Sequence, residues 1–519
     1  MKVLSPASLL QRLANRLQVL TGGARDLPER QQTLRSAMDW SYDLLTEAEQ
    51  KLFRRLSVFA GGCTLEGVEA VCDARGDLDI DLLDGMASIV DKSLVRQVER
   101  AGGESRFVML ETIREYALAK LEASGEEALT KRAHAAYCLV VAEELTQSEA
   151  PGEAWREQIA AENDNFRAAL EWLTATAEAD WGLRLGIALF RFWQTSEYLF
   201  EGRERLEKLL KLPKAAPPTK ARARALFAAG VLASEQGDYI SADPLMDESL
   251  KIATDLQDQQ GVAVSQNAMG VIARDKGDLS LAQELFEKSL GNWQQIGERT
   301  GIARAMSNLA NVAKLKGDYS RARALYAQAL GIFEALGNRE AVAWAMNYQG
   351  DIARDQGDAS VSRTLYEQSL TLFRELGDQW GMASSLVDLG NLAREQGDFA
   401  TAHKLYREGL EIFQDLDHKR GVARVLECFA CAASEQCDAP RALRLAGAAA
   451  ALRKRIGAPL APIEKARLEP ALDLARQTLG DSASTTAWLE GYGLPLEESL
   501  RQDLPQTGPG AIGNNVRAS

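Results

Sequence analysis

Residues 310–330 read Ala-Asn-Val-Ala-Lys-Leu-Lys-Gly-Asp-Tyr-Ser-Arg-Ala-Arg-Ala-Leu-Tyr-Ala-Gln-Ala-Leu, and their Gly317-Asp318 pair recurs every 40 residues. The other pairs are Gly237-Asp238, Gly277-Asp278, Gly357-Asp358, Gly397-Asp398 and the altered Cys437-Asp438. A fixed period of this length is typical of solenoids, in which each unit buries its apolar face only against its neighbours. The sequence therefore predicts a stacked array with a long binding surface.

Each pair is predicted to end one helix and to start the next. Glycine adopts the left-handed conformation that ends a helix, and aspartate caps the helix that follows. On one side of the pair lies a column of small residues that lets two helices approach closely: Gly230, Gly270, Ala310, Gly350, Gly390 and Ala430. On the other side, Ala322, Leu325, Tyr326 and Leu330 show the i, i+3, i+4, i+8 spacing of an apolar helical stripe. Each unit is therefore predicted to be a helical hairpin of 40 residues.

This pattern resembles the tetratricopeptide repeat (TPR) in a 40-residue form. The small-residue column, the Gly-Asp-Tyr turn and the alanine early in the second helix carry the resemblance, which covers about residues 221–440. It implies a right-handed TPR-type α-solenoid whose groove binds a protein, a peptide or a small inducer. We expect a helical linker with one degenerate repeat over 125–220, C-terminal capping helices over 441–502, and a disordered tail over 503–519.

Residues 24–124 follow a different plan, which predicts a winged-helix domain. A capping box, Thr46-Glu47-Ala48-Glu49, opens a helix over about 50–59. Two alternating runs flank Gly102-Gly103 and predict a β-hairpin. The remaining helices are expected at 30–45, 79–91 and 111–123, and the hairpin strands at 93–98 and 106–110. The predicted fold class is thus all-α, with a winged-helix domain ahead of the repeats.

Three stretches resemble the bacterial signal-transduction ATPases with numerous domains (STAND), including large LuxR-like and maltose-activator-like transcriptional regulators. They are Leu-Thr-Gly-Gly-Ala-Arg-Asp-Leu-Pro-Glu-Arg-Gln-Gln-Thr-Leu-Arg at 20–35, Trp-Ser-Tyr-Asp-Leu-Leu at 40–45 and Glu-Asn-Asp-Asn-Phe-Arg at 162–167. The resemblance implies a nucleotide-binding domain, a winged helix and a repeat sensor, in that order. Residues 1–23 would then be a remnant of the segment that links to a nucleotide-binding domain, which becomes an expected partner in cis.

Two departures from that family bear on nucleotide binding. The sequence contains no Gly-Lys-Ser/Thr, so this chain lacks the phosphate-cradling loop of the Walker type. The nucleotide-sensing Met-His-Asp-like motif would fall at Met109-Leu110-Glu111, where leucine replaces histidine. We therefore expect this chain to be the C-terminal part of such a regulator or an ATPase-less relative.

Charge and hydropathy exclude several classes of partner. Lys and Arg number 60 and Asp and Glu 74, for a net charge of -14, which argues against a dedicated nucleic-acid surface. The basic residues of the winged helix are mixed with acidic ones, so DNA contact is not expected from it. The basic residues are Lys51, Arg54, Arg55, Lys92 and Arg96. No apolar run approaches the length of a membrane span, so we expect a cytoplasmic protein without a membrane partner.

The sequence gives no sign of an enzyme, a metal site or a cofactor. The six cysteines are scattered, which favours reduced structural thiols, and Cys428-x2-Cys431 with Cys437 has no histidine after it. Gly508-x-Gly510-x-x-Gly513 matches a dinucleotide-binding pattern by letter, but it includes Pro509 and follows no predicted strand. Neither a nucleophile elbow nor a paired-histidine motif is present.

A column of cations is the candidate binding site. The cations Arg274, Lys314, Arg354 and Arg394 recur near the ends of the first helices, and Asn311, Asp351 and Asn391 lie three residues before the last three. Together with Asn267, Asn347 and Trp344, they are predicted to form a polar ladder that clamps a peptide carboxylate or backbone. Alternatively, the cations offset helix dipoles and hold the nearby turn aspartates.

These observations predict a non-enzymatic sensor or protein-interaction arm of a signal-transduction or transcriptional regulator. Ligand in the repeat groove would be relayed through the winged helix. Two alternatives stay open at this point. One is a stand-alone TPR scaffold or adaptor, and the other is a DNA-binding regulator that uses the winged helix directly.

Overall fold

The computed structural model describes residues 34–99, 105–146, 153–194, 198–456, 459–460 and 462–503. The predicted linking segment 1–23, the Gly102-Gly103 turn, the tail from residue 504 and its glycine pattern all lie outside these residues. The chain divides into two compact units, Met1–Leu189 with Lys208–Pro217, and Phe190–Glu207 with Pro218–Ser519. The domain bounds drawn from the sequence stay predictions.

The first unit opens with a winged helix that has its own core. Leu52, Val68, Ile89 and Leu121 are fully buried in that core. The wing is antiparallel, with Arg96 opposite Val108. The elements are α1 (Leu34–Asp43), α2 (Glu47–Leu56), α3 (Leu65–Cys72), α4 (Leu82–Asp91), β1 (Arg96–Glu99), β2 (Ser105–Val108) and α5 (Glu111–Ser124).

Local signals explain which of these elements the sequence predicts. The capping box is confirmed, because Thr46 Oγ1 accepts from the Glu49 N–H at 3.3 Å and Glu49 Oε2 accepts from the Thr46 N–H at 2.7 Å. Helix α3 was not predicted. It is only eight residues long and contains Gly67, so its helical period is too short to recognise.

Two long helices, α6 (Glu127–Thr146) and α7 (Glu153–Ala175), complete most of the first unit. Asn165 of α7 joins α7 to the loop after α2, because its Oδ1 accepts from the Ala60 N–H at 2.9 Å and its Nδ2 donates to the Gly62 carbonyl at 2.9 Å. Arg106 of the wing donates to the same carbonyl at 3.0 Å and pairs with Glu162. The Glu162–Arg167 motif thus binds the winged helix to α7.

The repeats form helical hairpins in the second unit. Helices α8 (Ala179–Gln194) and α9 (Leu199–Leu210) and a short 3-10 turn (Pro213–Ala215) precede them along the chain. The repeat helices are α10 (Lys220–Glu235), α11 (Tyr239–Asp255), α12 (Gln259–Asp275), α13 (Leu279–Ile296), α14 (Arg299–Leu315), α15 (Tyr319–Ala335), α16 (Arg339–Asp355), α17 (Ala359–Leu376), α18 (Gln379–Glu395), α19 (Phe399–Asp415), α20 (Lys419–Glu435) and α21 (Ala439–Ile456).

The turn chemistry predicted for the recurring pair is confirmed. The five glycines have φ between +76° and +88°, and Cys437 takes the same left-handed conformation at +64°. Each following aspartate caps the second helix, as when Asp318 Oδ1 accepts from the Arg321 N–H at 3.0 Å. The Cys437-Asp438 pair joins α20 to α21 in the same way, so the sixth hairpin extends to Ile456.

The small-residue column has a steric cause. A Cβ atom at Gly350 would lie 2.7 Å from Tyr366 Cε1, and one at Gly390 would lie 2.6 Å from Tyr406. Tyr366 and Tyr406 are fully buried second-helix aromatics. Glycine or alanine on the first helix therefore allows the aromatic ring of the second helix to pack directly against the first helix.

Three further helices follow the repeats: α22 (Pro462–Leu479), α23 (Asp481–Gly493) and α24 (Leu496–Asp503). Gly491 of α23 packs directly against the backbone of Arg444 on α21, which leaves no room for a side chain. Leu468, Leu472 and Leu500 join the core formed by α20 and α21. These helices cover apolar surface of the last repeats.

Candidate functional site

The first helices of successive repeats line a common cavity of about 280 Å³. They are α12, α14, α16, α18 and α20. On α16, the lining residues Trp344, Asn347, Tyr348 and Asp351 have the i, i+3, i+4, i+7 spacing of a single helical face. We call this space the repeat cavity.

Nine of the ten residues predicted to line the groove lie in the wall of the repeat cavity. They are Arg274, Asn311, Lys314, Trp344, Asn347, Asp351, Arg354, Asn391 and Arg394. The tenth, Asn267, lies outside this set, and its Oδ1 accepts a hydrogen bond from Asn308 Nδ2 at 3.0 Å. The part of these residues in ligand binding stays a prediction.

Three of the four predicted cations form close pairs with carboxylates of first helices. Lys314 pairs with Asp351 of the next repeat, and Arg394 pairs with Glu435 of the next repeat. Arg274 Nε donates to its neighbour Asp275 at 2.8 Å. The turn aspartates instead accept backbone N–H groups as helix caps. Lys314 and Arg394 therefore tie neighbouring repeats together.

Arg354 is different from the other cations. Its side chain is only 8% exposed, yet its Nη1 has no hydrogen-bond partner among the described residues. Three carboxylates stand around it beyond hydrogen-bond distance: Asp351 at 4.0 Å, and Asp355 and Asp388 at 3.8 Å each. The guanidinium thus retains unused donors at the wall of the cavity.

Each of those three carboxylates is already bound to another group. Asp351 accepts from the Tyr366 hydroxyl at 2.7 Å besides its pair with Lys314. Asp388 accepts from Asn347 Nδ2 at 3.3 Å and pairs with Arg424 of α20. Asp355 accepts from Arg467 of α22 at 2.5 Å. None of the three therefore depends on Arg354 for its only partner.

The electrostatics of the two central carboxylates differ. Burial raises the pKa of Asp388, and the nearby charge of Asp351 raises it further, against the effect of Arg424. Burial also acts to raise the pKa of Asp351, but the charges of Lys314 and Arg354 outweigh it, so that pKa is lowered. Asp351 is therefore the firmly ionised member of the pair.

An aromatic wall lies beside these charges. The Trp344 and Trp380 rings are 4.4 Å apart between centroids, and Trp344 lies 5.7 Å from Tyr348. Trp380 keeps 36% of its surface exposed although it lines the cavity. His418 stacks on Phe413 at 5.2 Å and caps α20, and burial lowers its pKa to about 3, so it is neutral.

The cavity is closed on one side by contacts between distant repeats. Arg420 at the start of α20 reaches Asp275 at the end of α12, with Nη1 2.6 Å from Oδ2. The Tyr239 hydroxyl donates to the same oxygen at 3.2 Å. Glu464 and Leu468 of α22 also lie in the cavity wall. The repeat cavity is thus bounded on this side and open to solvent elsewhere.

Several lining residues were missed by the sequence analysis, chiefly Trp380, Asp388, Arg420, Arg424 and Glu427. Arg424 and Glu427 fall in columns that contain predicted residues, Asp388 falls beside such a column, and Trp380 and Arg420 share a column one helical turn before that of Trp344. Arg424, for example, lies 80 residues after Trp344, and Asp388 lies 40 after Tyr348. The 40-residue spacing could have found them, but the residue type changes along these columns.

The cavity offers binding groups and little that would act on a substrate. Burial raises the pKa of the Cys431 thiol to about 12 and also raises that of Cys428, so both thiols are protonated and weakly nucleophilic. Across the described residues, no cluster of three or more His, Cys, Asp and Glu could hold a metal ion. Within the same part of the chain, no helix is long and apolar enough to cross a membrane.

Comparison with known families identifies the fold of the two modules. The tetratricopeptide repeat family matches residues 261–335 and 341–415, and the winged helix-turn-helix domain family matches residues 45–122. The chain combines a winged helix with tetratricopeptide repeats. The predicted fold class, a winged helix ahead of a helical solenoid, is confirmed, and the predicted hairpin is present as β1 and β2.

Curated relatives of this winged-helix and repeat chain come from mycobacteria. A Mycobacterium tuberculosis protein provisionally named an HTH-type transcriptional regulator is 38% identical over 227 residues. That match covers 43% of this chain and 26% of the relative. An uncharacterized protein of the same species is 39% identical over 124 residues, which is 24% of this chain and 31% of that protein. The chain therefore matches only about a quarter to a third of these relatives' length.

Solved structures with similar chains are more distant. A STAND protein with a tetratricopeptide repeat sensor from Pyrococcus horikoshii is 16% identical, with a TM-score of 0.48, over 97% of this chain and 72% of its own. NprR in complex with its cognate peptide NprX is 14% identical, with a TM-score of 0.45, over 68% of this chain and 97% of its own.

Proposed function

We propose that this chain is the non-enzymatic sensor and interaction arm of a cytoplasmic transcriptional or signal-transduction regulator. A ligand bound in the repeat cavity would favour one arrangement of the winged helix, and so relay its presence to a nucleotide-binding domain in cis. The observation that carries the proposal is Arg354, a buried guanidinium with an unused donor in the wall of the cavity. The sequence similarity to mycobacterial HTH-type regulators supports the regulatory setting.

A binding role fits the chemistry of the cavity better than a catalytic one. Most of its charged groups are paired with one another, and its thiols are held protonated by burial. Catalysis needs a nucleophile or a proton-transfer group in reach of a substrate. Binding needs only donors, charge and an apolar wall, which Arg354, Trp344 and Trp380 supply.

The winged helix fits a hinge better than a DNA reader. Its α4, which would be the recognition helix, contains Asp84 and Asp91 and neither lysine nor arginine. A helix that enters the phosphate-lined major groove needs positive charge. The contacts of Asn165 and Glu162 instead bind the winged helix to α7. We therefore assign it the transmission of a conformational change.

Deletion of the gene in the native host, followed by complementation, tests this function. We expect deletion to change a restricted set of transcripts and the wild-type chain in its native context to restore them. Trp380→Ala, which opens the aromatic wall, should fail to restore them at equal protein level. Arg339→Gln should restore them, because Arg339 is an exposed residue paired with Glu375. Unchanged transcripts after deletion would overturn the regulatory proposal.

The same strains separate the two alternatives. A stand-alone scaffold predicts that transcripts are unaffected while a partner co-purifies with the chain and is lost in Trp380→Ala. A DNA-binding regulator predicts that the purified full chain retards duplex DNA in a salt-dependent manner. The relay proposal predicts neither result.

A further inference from the structure

We propose that the repeat cavity binds a small organic anion, with its anionic group held by Arg354 and its planar apolar body against Trp344 and Trp380. The inference rests on the proposed function, since it names the class of ligand that the sensor would recognise. It goes beyond that function because a TPR groove by itself serves proteins and extended peptides equally well.

The size of the cavity favours a small molecule. Its volume of about 280 Å³ is just below the range of about 300–1,000 Å³ that is typical of small-molecule sites. An extended peptide requires a groove that is open along its length. Here Arg420 and Asp275 meet across the interior, and Glu464 and Leu468 of α22 form part of the wall. Because these groups block one side, a compact ligand fits the cavity better than a chain that runs through it.

The charge of the wall favours an anion. The lining contains eight Lys and Arg residues and six Asp and Glu residues, a formal excess of two positive charges in a chain whose net charge is -14. The cations are Arg274, Lys314, Arg354, Arg394, Arg420, Arg424, Arg453 and Arg467. The carboxylates are Asp275, Asp351, Asp388, Glu395, Glu427 and Glu464.

The carboxylates are already engaged, and two more just outside the lining, Glu435 and Asp355, pair with Arg394 and Arg467. Arg354 is then the lining cation whose carboxylates stand no closer than 3.8 Å. Asp275 has Arg274 and Arg420, Glu427 has Arg453 in a two-pronged pair, and Asp388 has Arg424. Glu395 and Glu464 lie within 4 Å of Arg394 and Arg420, respectively. A cationic ligand would have to displace one of these cations, whereas an anion need not displace any.

Arg354 is the cavity-wall cation that has an unused buried donor and no close carboxylate, whereas Arg394, whose Nε is also without a partner among the described residues, pairs with Glu435. A buried donor without a partner destabilises a fold, so its retention calls for a partner that the protein does not itself supply. Guanidinium donors match the two oxygens of a carboxylate or the oxygens of a phosphate. An anionic oxygen that accepts from Nη1 would complete the hydrogen bonding of this side chain.

The aromatic wall defines the rest of the ligand. Trp344 and Trp380 both line the cavity, and their rings approach to 4.4 Å in a tilted arrangement. Trp380 is 36% exposed, so part of its indole surface remains uncovered by the protein. A planar apolar body laid against that surface removes it from water. The two features together describe an aromatic or similarly flat acid.

Calorimetric titration of the purified full chain with four probes tests the proposal. The probes are benzoate, phenyl phosphate, inorganic phosphate and benzylamine. We expect one of the two aromatic anions to bind with one-to-one stoichiometry at millimolar concentration or below, and more tightly than inorganic phosphate or benzylamine. Preference for benzoate identifies a carboxylate ligand, and preference for phenyl phosphate identifies a phosphate ester.

Variants connect that binding to the residues. Arg354→Gln should weaken the favoured probe at least about tenfold, because a charge-assisted hydrogen bond is lost. Arg339→Gln, on the exposed start of the same helix, should leave the affinity unchanged. If Arg354→Gln does not fold, Trp380→Leu serves in its place and should weaken the aromatic probes but not inorganic phosphate.

Three results would overturn the proposal. They are absence of binding by both aromatic anions at millimolar concentration, tighter binding of benzylamine, and unchanged affinity in a folded Arg354→Gln. These results would not remove the proposed regulatory function, which the transcript experiment tests separately. Restoration of transcripts that depends on Trp380, without anion binding, would point to a peptide or protein ligand instead.

Discussion

Two buried arginines, Arg55 of the winged helix and Arg354 of the repeats, meet their surroundings in opposite ways. The side chain of Arg55 is 5% exposed, and its Nη1 donates to Asp77 at 2.6 Å and to the Cys72 carbonyl at 2.8 Å. Its Nη2 donates to the other Asp77 oxygen at 2.8 Å. Arg354 is 8% exposed, and its nearest carboxylates, such as Asp388, stand no closer than 3.8 Å.

The difference separates a charge that the fold uses for its own hydrogen bonds from a charge that is free to bind a ligand. Removing a charge from water is costly, and a fold offsets this cost when direct hydrogen bonds replace the lost solvent. The winged helix does so at Arg55, and the hydrogen bond from Arg55 lowers the pKa of Asp77 to about 2. The repeats do not do so at Arg354. Burial alone therefore does not mark a residue as structural.

Loss of Arg55 should have the largest effect on stability. Arg55→Met removes the pair with Asp77 and leaves the Cys72 carbonyl without this donor. We expect a loss of about 3 kcal/mol in the local free energy of unfolding, the size seen when a buried ion pair is broken. Amide hydrogen exchange over α2 measures it. The exposed Arg75→Met is the control, and equal exchange in the two variants would contradict the structural role of Arg55.

Loss of the contact between Arg420 and Asp275, which bounds the repeat cavity, should have the second largest effect on stability. Arg420→Met removes the 2.6 Å contact to Asp275, whose side chain is 7% exposed, although Arg274 still pairs with that carboxylate. We expect a loss of about 1.5–2 kcal/mol, as for one hydrogen bond to a charged group. Faster hydrogen exchange in the last turn of α12 would show it. Lys419→Met, at a half-exposed neighbour that does not contact Asp275, should have no such effect.

Loss of Arg354 should reduce stability less than loss of Arg55 or of Arg420. Arg354→Met removes no direct hydrogen bond to the described residues, and Asp351, Asp355 and Asp388 keep Lys314, Arg467 and Arg424. We expect a fall of under about 1.5 kcal/mol in the free energy of unfolding of α16, measured by hydrogen exchange. A loss as large as that of Arg55→Met would erase the contrast between the two arginines and make Arg354 structural.

The sequence predicted the repeats well because their signals are local. Gly357 ends α16 in the left-handed conformation and Asp358 caps α17, and both facts follow from neighbouring residues. The 40-residue period then fixes which residues share a helical face. Helix α3 was missed because eight residues give too few turns for a period to show.

The candidate site was predictable only in part. The columns that contain Trp344, Asn347, Asp351 and Arg354 gave nine lining residues, because equivalent positions in stacked repeats face the same side. The closure by Arg420 and Asp275 was not predictable, since it depends on how far each repeat rotates against the next. The unused donor of Arg354 was also beyond the sequence, because it depends on distances of a few tenths of an ångström.

A half-buried carboxylate with a neutral hydrogen-bond partner, Glu235, extends the comparison through the pH dependence of stability. Glu235 at the end of α10 accepts a hydrogen bond from Gln194 at 2.5 Å. Burial raises the pKa of Glu235 from its ordinary 4.5 to about 8, against the effect of Gln194. The folded chain therefore keeps this proton where the unfolded chain has released it, so Glu235 makes stability fall as the pH rises from 4.5 to about 8.

Glu235→Gln should remove that dependence, because the amide resembles the protonated acid. Between about pH 5 and about pH 9, the melting temperature of the second unit should fall less in the variant than in the wild type, by a few degrees. Glu284→Gln, at an exposed residue paired with Lys288, should follow the wild type. Parallel pH profiles for Glu235→Gln and the wild type would mean that Glu235 stays ionised when folded. The chain would then tolerate two ionised groups, Glu235 and Arg354, without a charged hydrogen-bond partner, and the unused donor would no longer mark Arg354 as a binding group.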